Sequence, residues 1–195
     1  MVSRRKASLV LLVAASGCAT PDPPPPPLAA LETRAPPKRP RPPLRLEVAD
    51  LEIPPPPGGS AFIVAPPAPI LPAEAMASMA RERLSPVGAS GRARFLIRTA
   101  RLGRHPSDPG GLFRERTEML HCTMRCMLEI LSPGGALRGS AEAEVIRAAT
   151  VPASTPAELE DSAARFVRLA ATELSLEFER QVREKLAAFL AGDVA

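Results

Sequence analysis

The chain of 195 residues has no tryptophan, no tyrosine and only six phenylalanines. Without those rings it lacks the platforms on which proteins stack bases or sugars and the cages that hold quaternary ammonium groups. Two histidines and three cysteines are its whole stock of imidazole and thiol. No G-x-S-x-G elbow and no G-x-x-x-x-G-K-S/T phosphate loop occurs. The strongly apolar run near the N-terminus is about eleven residues long, well short of the roughly 20 needed to span a bilayer as a helix. The composition therefore points away from an enzyme, a nucleic-acid partner and a spanning helix.

What is present is punctuation. Residues 9–20 read "LVLLVAASGCAT" behind Arg4, Arg5 and Lys6, which is a charged n-region, a short apolar h-region and small residues before a cysteine. The stretch resembles the lipobox of bacterial lipoproteins, with Ala15 standing where leucine is usual. The resemblance implies that residues 1–17 are removed, that Cys18 is acylated on its thiol and new amino terminus, and that the chain is held to a membrane by covalent lipid. Ala19, rather than aspartate, follows the cysteine, which under the family's sorting logic implies an outer-membrane lipoprotein facing the periplasm. An ordinary secretory signal is the other reading. Loss of Arg4, Arg5 and Lys6 takes the formal net charge from +4 to about +1, which weakens any electrostatic case for nucleic acid.

Of 25 prolines, 19 fall between Pro21 and Pro72, and 11 of them lie in 21–43. Residues 18–43 read as a lipid anchor and a disordered, Pro-rich tether of polyproline II type, reaching about 70 Å if fully extended. A PxxP docking segment is the alternative there.

A single domain is expected over 44–195. "LRLEVADLEI" alternates in two phases that change near Val48, the mark of a bent or bulged strand. Residues 72–84 place Met76, Ala80 and Leu84 four apart, which suits a short helix. Residues 92–102 put Phe95, Ile97 and Thr99 on one strand face and Leu96, Ala100 and Leu102 on the other. Residues 117–131 give the clearest period of two, with Leu120, Cys122, Met124, Cys126, Leu128 and Ile130 opposed by His121, Thr123, Arg125 and Glu129. After the turn at 132–138, residues 139–149 complete a meander. Thr155, Pro156 and Glu158 then open a long helix, whose apolar stripe runs from Leu159 to Phe189. The expectation is an α+β fold of two layers: a mixed or antiparallel sheet of about four strands, in the order β-α-β-β-β-α, with a short and a long helix on one face.

Behind a lipobox and a proline-rich stretch, that order resembles the small periplasmic lipoproteins that assist envelope ABC-type transport, including the lipopolysaccharide-assembly lipoprotein. The resemblance implies a non-enzymatic binding or assembly accessory with a protein partner in the envelope. A periplasmic carrier of an apolar ligand or lipid is the second reading, and a cavity lined by Met76, Met124 and Phe166 would favour it. A filled core and a bare sheet face would favour the accessory.

Candidate chemistry is thin. His105, Ser107 and Asp108 fall within four residues of an expected loop, too close in sequence to be aimed as a triad. His121, Cys122 and Cys126 lack the spacing of a metal knuckle, and on a strand His121 points away from both thiols. Cys122 and Cys126 stand about 13 Å apart along one strand face, beyond disulfide reach, and are expected as buried free thiols. No catalytic residue, metal or cofactor is assigned; the one site residue is Cys18.

Overall fold

The computed structural model describes residues 24–34, 41–108, 111 and 115–192. Cys18, the signal segment 1–17 and tether residues 19–23 and 35–40 lie outside them. The elements run α1 (Leu28–Arg34), β1 (Leu44–Leu46), β2 (Asp50–Glu52), α2 (Pro72–Arg83), β3 (Leu84–Pro86), β4 (Arg92–Asp108), β5 (Thr117–Leu131), β6 (Leu137–Pro152) and α3 (Pro156–Lys185). The main sheet has the order β2-β4-β5-β6, with β2 parallel to β4 and the other pairs antiparallel. Helices α2 and α3 cover one face of it, so the two-layer α+β arrangement is present. A parallel pair needs a crossover, and α2 supplies it between β2 and β4.

Strand β5 follows its alternation: Leu120, Cys122, Met124, Cys126, Leu128 and Ile130 are all buried beneath the helices. In β4 the two apolar phases join. The register shifts between Ile97 and Thr99, so Arg98 bulges out of the ladder. That extra residue brings Phe95, Ile97, Ala100 and Leu102 onto the same buried face, and Thr99 moves to the opposite side with Leu96. The expected split of Phe95, Ile97 and Thr99 against Leu96, Ala100 and Leu102 is thereby corrected.

The bend expected at Val48 is sharper than a bulge. Residues 47–49 turn, and the flanking strands enter different sheets: β1 pairs in parallel with β3, while β2 joins the main sheet. Gly88 permits this crossing, because a Cβ there would stand 2.5 Å from the Glu47 carbonyl carbon.

Helix α3 opens as its capping box requires. The Thr155 hydroxyl accepts from the Glu158 N–H at 3.2 Å, and the Glu158 carboxylate accepts from the Thr155 N–H at 3.0 Å. Leu159, Ala163, Phe166, Ala170, Leu174, Phe178 and Val182 form the buried stripe, with Phe178 edge-on to Phe95 at 5.5 Å between centroids. The helix ends at Lys185, before the end of the apolar stripe expected to run to Phe189. Beyond it the backbone is captured by β1: the Glu47 N–H donates to the Phe189 carbonyl at 2.8 Å, and the Ala191 N–H to the Arg45 carbonyl at 2.9 Å.

Part of the proline-rich stretch is ordered against the domain. The Thr150 N–H donates to the Pro26 carbonyl at 3.0 Å and its hydroxyl to the Pro25 carbonyl at 3.1 Å. Leu28, at the start of α1, is 3% exposed, and Glu32 pairs with Arg165 of α3 at 3.3 Å. Residues 24–34 thus form a strap across β6 and α3, upstream of the boundary expected at Leu44.

Candidate functional site

Alternation gives the sheet two faces of opposite character. Under the helices, Met76, Met124 and Phe166 are each 0% exposed and belong to one continuous core. The interior positions expected to line a carrier cavity are packed. A groove of about 930 Å³ lies instead at the surface between α2 and α3, with Ile70, Met79, Arg168 and Ser175 among its lining. One end is closed by ion pairs. Glu179, 5% exposed, takes Arg41 at 2.6 Å and Arg83 at 2.8 Å on one oxygen and Arg183 on the other. Arg83 also donates to the Arg41 carbonyl at 2.7 Å, which ties the start of β1's strand region to both helices.

A second buried carboxylate sits at the other end of the sheet. Glu118, 3% exposed, takes both Nε and an Nη of Arg104, at 2.8 and 2.9 Å, with Arg116 at 3.5 Å. Each buried glutamate is met by more than one arginine, the arrangement a desolvated charge requires.

The opposite face carries no helix. Its cross-strand rows, read from β4 through β5 to β6, are Arg94, Glu129, Ser140; Leu96, Met127, Glu142; Thr99, Arg125, Glu144; Arg101, Thr123, Ile146; Gly103, His121, Ala148; and His105, Met119, Thr150. The first three rows are laced by charge. Arg94 reaches Glu129 at 2.7 Å and Arg125 binds Glu142; that hydrogen bond holds the Glu142 carboxyl below its ordinary pKa. The last three rows carry one charge, Arg101, and expose Ile146 on the edge strand β6 to 61%.

Histidines 105 and 121 share this sparsely charged end, and their rings meet edge to face at 5.5 Å. Burial, with the neighbouring His105 second, lowers the His121 pKa. The loop expected around His105, Ser107 and Asp108 is strand instead, because β4 runs on to Asp108. Pro106 is tolerated there. Leu102 points its N–H outward to the Ile63 carbonyl, so residue 106, in the same phase, turns its missing N–H to the open edge. Consecutive strand residues alternate in direction, and His105 stacks on His121 rather than joining a triad.

Cys122 and Cys126 are free and buried, on the face away from His121. Burial pushes each thiol up to about 12, which leaves neither a nucleophile at neutral pH. Among the described residues no three His, Cys, Asp or Glu side chains gather as a metal centre, and no helix is long and apolar enough to cross a membrane. Cys18 lies outside the described residues.

No family model matches the chain, and no curated protein matches it. Among solved structures it is similar to a Helicobacter pylori protein described as a homologue of the neuraminyllactose-binding hemagglutinin, at 8% identity and a TM-score of 0.38, over 76% of this chain and 94% of that one. A likeness of that size carries no argument about function.

Proposed function

We propose that the protein is a membrane-anchored envelope lipoprotein that acts as a non-enzymatic binding or assembly accessory. One observation carries this reading over the carrier: the helix-side interior is filled, while the second sheet face carries no helix and exposes Ile146 on its edge strand. The lipobox residues before Cys18 support the anchor. The strap changes the geometry of that anchor. Five residues lie between Cys18 and Pro24, so the lipid lies within about 20 Å of the strap, far less than a free tether of 21–43 would allow. The domain is held close to the bilayer by its β6 edge, with the bare face free to meet a protein partner.

Two variants of the full chain test the proposal. Cys18→Ser should abolish acyl labelling and release the protein from membranes. Ile146→Arg should leave acylation and folding intact and remove the cellular phenotype. Wild-type protein recovered soluble, without acyl mass on its N-terminal peptide, would reject the anchor; full complementation by Ile146→Arg would reject the face.

A further inference from the structure

Both histidines of the chain come together at the sparsely charged end of the bare face, on different strands. His105 stands directly opposite Met119 in the β4–β5 ladder. Met119 and His121 are two apart on β5 and therefore share a face. Opposite His121 is Gly103, which brings no side chain to that row. Two imidazoles and one thioether thus stand in adjacent positions on one sheet face, with no acidic side chain in either of their cross-strand rows.

We infer that His105, Met119 and His121 form a binding site for a soft monovalent cation of the Cu(I) type. The geometry suits a shared ion. With metal–nitrogen bonds of about 2.0 Å, two ligating imidazoles at tetrahedral to trigonal angles hold their ring centroids about 5.2–5.5 Å apart, and the observed separation is 5.5 Å. The donor set decides the ion. Imidazole accepts several transition metals, whereas a thioether selects Cu(I). The further imidazole, carboxylate or thiolate that commonly completes a site for a harder dication is not offered by these rows: the chain has only two histidines, and Cys122 and Cys126 lie buried on the reverse face. The site sits beside the strap, since Met119 neighbours Thr150, whose hydroxyl bonds the Pro25 carbonyl.

The test uses the full chain and Ag(I), a redox-inert stand-in for Cu(I), followed by Cu(I) competition against a chromogenic chelator. Wild-type protein should bind one Ag(I) per chain. His105→Ala and His121→Ala should each weaken binding by more than the ~10–100-fold that losing an outer-shell partner costs a metal site. Met119→Leu should weaken Ag(I) while circular dichroism shows an unchanged fold. Equal Ag(I) binding by a His105→Ala/His121→Ala double variant would place the ion on the thiols and overturn the inference, as would no binding by the wild type. The readout is made on purified protein, so neither outcome bears on the anchor or the partner.

Discussion

The two faces of the main sheet are drawn from the same strands and differ in almost every physical property. On β5, one set of alternate residues runs from Leu120 to Ile130 and is shut under two helices; the other runs from Met119 to Glu129 and meets solvent. Stability resides in the first set, and the second is the surface proposed for recognition. A period of two keeps them apart, because no side chain can serve both faces.

The sharpest way to break the comparison is to empty the covered face. Phe178→Ala removes a 0% exposed ring that packs edge-on to Phe95, and should cost about 3–5 kcal/mol. Ile146→Ala on the bare face should stay within about 0.5 kcal/mol. Chemical denaturation of both variants reads the difference directly. Comparable losses would mean that the bare face is packed against something in solution.

Next comes the ion network that closes the helix layer. Glu179→Gln leaves the Arg83 guanidinium buried against a neutral amide, with Arg41 and Arg183 also released, and should cost about 3 kcal/mol or more. A Glu179→Gln/Arg83→Met double variant should recover part of it, since removing both charges avoids an orphaned cation. No recovery would show that the glutamate acts through Arg41 instead.

A smaller effect concerns the strap. Deleting residues 24–34 exposes the surface that Leu28 covers and removes the Thr150 bonds, which should lower stability by about 1.5–3 kcal/mol. A fragment starting at Arg41, which keeps the Glu179 network, should therefore unfold below the temperature of a fragment starting at Pro24. Equal midpoints would show that the strap is dispensable to the domain.

The smallest effect at neutral pH is on the thiols. Their folded pKa lies above the unfolded value, so they add stability that is fully present below about 9 and is lost as pH rises from there towards about 12. Native protein should resist thiol reagents at Cys122 and Cys126 at neutral pH and react fully once denatured. Rapid reaction of the native protein would place those residues on the wrong face.

Much of this division is legible in the sequence. The alternation of 117–131 and the Thr155–Glu158 capping pair are local signals, and the structure uses them as read. Other features depend on long-range pairing that no local window carries. The change of phase at Arg98 is visible as two apolar sets, but only the buried ladder shows that one bulge merges them. "HPSDPG" has turn residues throughout, yet β5 extends far enough to draw 103–108 into the ladder. The end of α3 is set by capture of Phe189 and Ala191 on β1, a contact more than 140 residues away in sequence. The strap had a local signal, since "LAALETR" is rich in helix formers, but the prolines on both sides dominate a composition-based reading. Of the bare face, the residues could be assigned from β5 alone; the meeting of His105 with His121 could not.

The bare sheet face, and not the helix-side groove, is the surface proposed here to meet a partner of the anchored protein. Site-specific photo-crosslinking in cells tests it most directly, with the photoreactive residue placed at Ile146 on that face or at Thr172 in the groove. A discrete adduct is expected from position 146, lost when Cys18→Ser removes the anchor, and none from position 172. An adduct from 172 with none from 146 would contradict it.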